Sequence, residues 1–239
     1  MHEATSRSGV SVVLKIIRDS NERRLLEYLG GIKAPSNHTI PLLEAIDLSI
    51  GKPMIVLPWK SPLDEVLKFR DHPDGVASLC FQFIEGVAFL HQHNVAHRNL
   101  KPGNVVVDIY DRPASSPRLF IIDFDLAKSV ESEETMTEGW CGTPPWIAPE
   151  LGSRDGPLQR YSPILADRWA CGRMIQYFSN YITTHDEDKQ NLLVFAQRLL
   201  SDNPRARPSL QAISGTKKRR SAGNQDEPAP KRPAVNLCS

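Results

Sequence analysis

His97-Arg-Asn-Leu-Lys-Pro-Gly-Asn104 is the stretch that decides how this chain folds. Eight residues hold an imidazole, a guanidinium, an ammonium and two carboxamides, and Pro102-Gly103 marks them as a loop. Upstream, Val76, Leu79, Cys80, Phe83, Ile84, Val87 and Ala88 recur at helical spacing behind the turn signal Asp74-Gly75, which predicts a long helix with one broad apolar face. Downstream, Val105–Val107 and Phe120–Ile122 read as two short strands. The second leads into Asp123-Phe-Asp125, which begins 19 positions beyond Asn104.

Further out, Cys141-Gly-Thr-Pro-Pro-Trp-Ile-Ala-Pro-Glu150 is followed by Asp167-Arg-Trp-Ala-Cys-Gly172 and Asn203-Pro-Arg-Ala-Arg-Pro208. Helical patterns return over Asp167–Phe178 and Asn191–Leu200. On the N-terminal side, Ser11–Ile17 is β-branched and reads as a buried strand. A short helix is predicted over Asn21–Leu29, with Asn21 as N-cap and Gly30-Gly31 as the stop. Ile40–Ile46 and Pro53–Leu57 read as a strand pair around a turn near Gly51. The order is therefore a small β-rich region, then a larger helical one.

Five of these segments, in this order, resemble the signature of protein kinases of the Ser/Thr type. The loop at His97–Asn104 is similar to H-R-D-x-K-x-x-N, and Asp123-Phe-Asp125 is similar to D-F-G. Cys141–Glu150 resembles the end of an activation segment, and Asp167–Gly172 the start of the central helix of the large lobe. In Asn203–Pro208, Arg207 stands where the family pairs an arginine with Glu150. The wording of Ile121–Asp125 and Tyr161–Trp169 also resembles a group of fungal kinase-like proteins. The resemblance covers roughly residues 10 to 213 and implies a bilobal α+β fold, with a reduced small lobe over about 1–59 and a large lobe over about 60–213.

It implies ATP and Mg²⁺ as cofactors, weakly bound, and a protein substrate or partner. Asn104 and Asp123 are oxygen ligands suited to Mg²⁺. Lys101 would place positive charge on the transferring phosphate, and Arg98 stands where many kinases grip an activation-loop phosphate. Lys15, in Val12-Val-Leu-Lys15, resembles the nucleotide-binding lysine, with Glu22 and Glu27 competing as its partner. Leu26 shares the Glu22 face and would stack with Phe124 and His97, which favours Glu22. At the hinge, Pro58 would offer a carbonyl and Lys60 a backbone N–H, with Leu57 guarding the pocket; an ordinary loop proline is the other reading. Trp146 would line the peptide floor or fill the core.

The pattern also breaks. Asn99 occupies the position of the family's aspartate, and an amide is almost non-basic. The fourteen residues before Lys15 hold a single glycine, Gly9, so the glycine-rich hairpin that covers phosphates is not found. Asp125 replaces glycine; a left-handed backbone there is tolerable, and the carboxylate is either a second metal ligand or a loop acid. The stretch from Phe178 to Asn191 is short for the helix the family places there. Either an impaired kinase or an inactive pseudokinase acting as a binding module follows. Glu131, Glu133 and Glu134 lie between Asp125 and Thr143, where one of them could meet Arg98 in place of a phosphate.

A hydrophobic content of 40% supports a real core, and a net charge of +1 argues against a dedicated nucleic-acid or membrane-surface protein. Four cysteines without a Cys-x-x-Cys pair suit a reducing compartment. No apolar segment of signal-peptide or membrane-spanning kind is present, so an intracellular protein is expected. Residues 214–239 form a basic tail expected to be disordered, and Lys217–Arg220 with Lys231-Arg232 has the layout of a bipartite import signal, pointing to an import receptor and a nuclear or nucleocytoplasmic location. A solvated tail without an address, or nonspecific nucleic-acid contact, are the other readings.

Overall fold

The small lobe is a four-stranded antiparallel sheet in the order β1-β2-β4-β3, carrying one helix. Its strands are β1 (His2–Thr5), β2 (Ser11–Ile16), β3 (Glu44–Ile46) and β4 (Met54–Pro58), and α1 (Asn21–Gly31) follows β2. This computed structural model describes residues 2–5, 9, 11–47, 51–69, 73–109, 117–183 and 187–213. The basic tail 214–239 and its two clusters lie outside the described residues.

The register puts Lys15 opposite Ile55 and Ile16 opposite Met54. Strand alternation then buries Lys15 and leaves Ile16 on the outer face. A strand precedes Lys15 after all: the polar His2–Thr5 pairs with Ser11–Leu14, though without a glycine-rich turn between them in the sequence. On α1 the inward stripe is Glu22, Leu25, Leu26 and Leu29. Asn21 is the first helical residue rather than the cap. Its N–H goes to Asp19 Oδ1 (2.7 Å), and its side chain reaches Ala127 O (3.0 Å). Gly30-Gly31 falls within the last turn instead of beyond it.

The large lobe begins with β5 (Ser61–Pro62), α2 (Leu63–Phe69) and α3 (Pro73–Gln92), the long helix its spacing predicts. Then come β6 (Val95–Ala96), β7 (Val105–Asp108), β8 (Arg118–Ile121), β9 (Lys128–Ser129), β10 (Thr137–Glu138) and β11 (Arg160–Tyr161). Two helices follow, α4 (Pro163–Ser179) and α5 (Glu187–Leu199). α4 starts four residues before Asp167, because Ser162 caps it by accepting from Leu165 N–H and Pro163 fits the first turn. Between α4 and α5, residues 180–183 form no helix, and 184–186 lie outside the described residues.

One core joins the lobes: Leu26 and Ile55 above, Phe83, Ile84 and Val87 of α3 in the middle, Met174 and Phe178 of α4 below. A second link runs through residues 38–40, which pair with β8: Ile121 N–H donates to His38 O (2.7 Å) and Ile40 N–H to Ile121 O (3.1 Å). The close approach needs Gly86 on α3, where an added Cβ would stand 2.8 Å from His38 Cβ. Among the described residues no helix is long and apolar enough to cross a membrane.

Candidate active site

The loop between β6 and β7 carries His97 to Asn104 and is held from below by one carboxylate. Asp167, on α4, is 1% exposed and accepts from His97 N–H (2.6 Å) and Arg98 N–H (2.8 Å). His91 Nε2 approaches the same carboxylate at 3.4 Å. Two successive N–H groups converging on one anion require an unusual backbone, and Arg98 adopts φ 65°. His97 is fully buried, with Nε2 bound to Ile122 O (3.0 Å) and Nδ1 accepting from Asn99 N–H (3.3 Å). Those partners define a neutral ring protonated on Nε2, and burial lowers its pKa below the usual value. His97 packs edge-on against Phe124, ring centroids 5.0 Å apart, and Leu26 belongs to the same core.

Above the loop, three charged groups meet. Lys15 Nζ lies 2.7 Å from Glu22 Oε1 and 2.6 Å from Asp123 Oδ1. The helix gives Lys15 Glu22 because that residue is on the buried stripe; Glu27 instead pairs with Arg23 on the outside (2.8 Å). Burial acts to lower the Lys15 pKa, but hydrogen bonds to Asp123 and Glu22 outweigh it, so the ammonium is held charged. Glu22 Oε1 also accepts from Phe124 N–H (3.0 Å), so one carboxylate ties the strand, the helix and the loop after β8 together.

The sharp backbone after β8 lies at Asp123 (φ 67°), not at Asp125, whose φ is not positive. Aspartate tolerates that conformation better than most residues. Asp125 faces Arg18 at 3.4 Å, an ion pair that accounts for it as a loop acid. In the short turn Pro102–Asn104, Asn104 donates Nδ2–H to Asn99 O (2.8 Å), which leaves its Oδ1 as a ligand atom. Asn104 and Asp123 offer oxygen only, the donor type Mg²⁺ takes while keeping waters or phosphate oxygens.

Asn99 is wired into the start of the next segment. Lys101 Nζ–H donates to Thr143 Oγ1 (3.0 Å), and Thr143 Oγ1–H donates to Asn99 Oδ1 (3.0 Å). Lower down, Arg207 clasps Glu150 with two bonds, 2.6 and 2.8 Å, and also donates to Leu165 O (2.9 Å).

A cleft of about 290 Å³ opens between the lobes, with Val13 and Leu57 above and Val106 and Ile122 below. Pro58, Lys60 and Asp123 lie on its wall, and the Lys60 ammonium is tied to Asp108 (2.6 Å). Asp64 also faces this space and accepts from Tyr177 OH (2.7 Å). The sequence reading passed over it, although Asp64 in the first turn of a helix behind Ser61-Pro62 was visible. Trp146 is half-buried and meets Tyr177 edge-on (5.9 Å).

The expected meeting of an acidic residue with Arg98 does not occur. The Arg98 guanidinium is taken by Tyr161 OH (3.0 Å) and Leu126 O (3.2 Å). Glu133 instead pairs with Arg168, the buried neighbour of Asp167, and Glu134 with Arg205 at 3.6 Å. Ser162 Oγ–H donates to Glu133 O (2.6 Å), so the chain direction at β10–β11 carries Glu133 to α4 and away from Arg98.

Comparison with known proteins agrees with this geometry. The protein kinase domain family matches residues 60–191, more than half of the chain. The chain belongs to that family, and it is of the Ser/Thr type with the bilobal α+β fold. It is 40% identical over 177 residues to CBL-interacting serine/threonine-protein kinase 8 of Arabidopsis thaliana, covering 70% of this chain and 38% of that protein. It is 39% identical over 105 residues to calcium/calmodulin-dependent protein kinase type IV of Homo sapiens, covering 43% of this chain and 19% of that protein. The chain thus spans less than two-fifths of the length of these curated relatives. The family generally uses ATP and Mg²⁺.

Proposed function

We propose that this chain binds Mg·ATP in the interlobe cleft and transfers phosphoryl groups to protein Ser/Thr at an impaired rate. The observation that carries the reading is Lys15 within 2.7 Å of both Glu22 and Asp123, beside a catalytic loop whose hydrogen bonds are complete except for a base. Bound Mg²⁺ would neutralise phosphate charge; Asp123 and Asn104 Oδ1 would hold it. Lys15 would orient the phosphates. Pro58 O and the Lys60 backbone would meet the base of the nucleotide, and Asp64 would accept from its hydroxyls. Asn99 can hold an acceptor hydroxyl but cannot take its proton.

Asn99→Asp is expected to raise phosphotransfer to a generic basic protein by roughly 10²–10⁴-fold, measured by radiolabel. A wild-type turnover on the order of 1–100 s⁻¹, ordinary for a kinase, would overturn the assignment of impairment to Asn99. The second reading is an inactive binding module. It is favoured by Asn99, whose neutral amide is too weak a base to take the acceptor's proton. No change on Asn99→Asp would select it. For the tail we propose nuclear import through Lys217–Arg220 and Lys231-Arg232; a fluorescent fusion that enters nuclei equally well after Lys218→Ala and Arg219→Ala would reject this.

A further inference from the structure

Asn99 changes what the acceptor end of this site can hold, and we propose that it binds a phosphate monoester, the side chain of a phosphoserine or phosphothreonine peptide, where an acceptor hydroxyl would sit. The proposal rests on the kinase-site reading above. The hydrogen-bond wiring sets the direction of the Asn99 amide. Lys101 can only donate, so its ammonium gives a proton to Thr143 Oγ1 (3.0 Å). The hydroxyl passes its own proton to Asn99 Oδ1 (3.0 Å). The Asn99 backbone is committed too, its N–H to His97 Nδ1 and its carbonyl to Asn104 Nδ2. Thr143 thus occupies one lone pair of Oδ1 and fixes the amide, and the Nδ2 amino group keeps two N–H donors for a ligand.

Charge points the same way. The two carboxylates after β8 already have cations, Asp123 on Lys15 and Asp125 on Arg18. Among the described residues no carboxylate pairs with Lys101, whose protein partner is a neutral hydroxyl. An aspartate at position 99 would sit one hydroxyl away from that ammonium and cancel its field; asparagine leaves the field intact. A phosphate monoester carries about −1.5 to −2 charges at pH 7 and three acceptor oxygens. It can use both Asn99 N–H donors and the remaining Lys101 protons. A neutral hydroxyl brought to the same place offers those donors one oxygen and no negative charge.

The test uses the full chain without nucleotide and two fluorescent peptide pools identical except for a central phosphoserine or serine. The wild type is expected to bind the phosphorylated pool at least about tenfold more tightly, a 1.4 kcal/mol difference, with inorganic phosphate competing. Asn99→Asp and Lys101→Met should each bring that ratio close to one. Equal affinity of the wild type for the two pools overturns the proposal, and so does a ratio that survives both substitutions, which would place the phosphate on other basic residues. A parallel thermal-shift titration with Mg·ATP separates the two readings. A shift by nucleotide with no phosphopeptide preference sinks this proposal alone. A phosphopeptide preference lost in both variants, without a nucleotide shift, supports it and sinks the nucleotide reading instead.

Discussion

Asp167 holds the catalytic loop from below and Asp123 faces the cleft above it, and their surroundings differ in kind. Asp167 is 1% exposed, and both its oxygens are taken by backbone N–H groups of His97 and Arg98. The side chain of Asp123 is 22% exposed, and Oδ1 alone meets a protein partner, Lys15. A carboxylate saturated by backbone donors fixes shape, because every lone pair it spends on the chain is one it cannot give to a ligand. A carboxylate with one oxygen spent keeps the other for a ligand. The lower half of the site is therefore frame and the upper half is receptor, and Asn99 lies on the seam between them.

Removing each aspartate is the sharpest way to break this contrast. Asp167→Ala should cost about 2–6 kcal/mol, because the N–H groups of His97 and Arg98 lose their acceptor at about 1–3 kcal/mol each. Urea unfolding measures it, and a loss under about 1 kcal/mol would erase the distinction. Asp123→Asn should move the ligand-free stability by no more than about 1 kcal/mol, the range of a partly exposed ion pair. It should nevertheless abolish stabilisation by Mg·ATP, which for the wild type amounts to about 2.7 kcal/mol at a hundredfold excess over Kd. A thermal shift that persists in Asp123→Asn would show that Asp123 is frame as well.

Acid should loosen the frame. His97 is buried neutral with its pKa lowered, so its contribution is complete above the ordinary histidine value of about 6.5 and is lost as pH falls toward the folded value. His38, lowered chiefly by burial, acts in the same sense. Stability should decline between pH 7 and 5, by at most about 1.4 kcal/mol per pH unit for each group. His97→Phe should flatten that slope; an equal slope in the variant would remove His97 as its cause. The mildest effect is predicted at Glu133. Glu133→Gln leaves Arg168 without its anion and should cost about 1 kcal/mol, since Glu133 is half exposed. Faster hydrogen exchange confined to residues 130–138 would be its signature, and unchanged exchange there would show that Ser162 alone holds the segment.

The sequence made the frame legible and left parts of the receptor obscure, for reasons visible in single residues. The helix α3, the strands flanking the loop and the large-lobe helices announced themselves through apolar spacing. So did the choice of Glu22 over Glu27 as neighbour of Lys15, since Leu26 marks the buried stripe. β1 was missed because His-Glu-Ala-Thr has no strand pattern of its own; pairing with β2 holds it. Asp64 was passed over because what qualifies it, the hydroxyl of Tyr177 at 2.7 Å, comes from 113 residues away. None of Glu131, Glu133 and Glu134 meets Arg98, and Glu133 goes to Arg168 instead. Both arginines stand in the sequence, and only the path through β10 and β11 decides between Arg98 and Arg168. Ser162-Pro163 was a readable helix start, and it would have moved the beginning of α4 forward to its true place.

The pairing of residues 38–40 with β8 has a mechanical consequence. Besides the shared core and the contacts of α1, the backbone crosses between the lobes at the linker Trp59-Lys60 and pairs across them at this staple, and those two places define a line. Opening of the cleft is then a rotation about that line, like a door on two pins, rather than a sliding of one lobe over the other. Ile40, on that line, donates its N–H to Ile121 O (3.1 Å). Lys15 lies away from it, so such a swing would separate Lys15 from Asp123 and Glu22 from the Phe124 N–H, while leaving Lys15 with Glu22 on the same lobe.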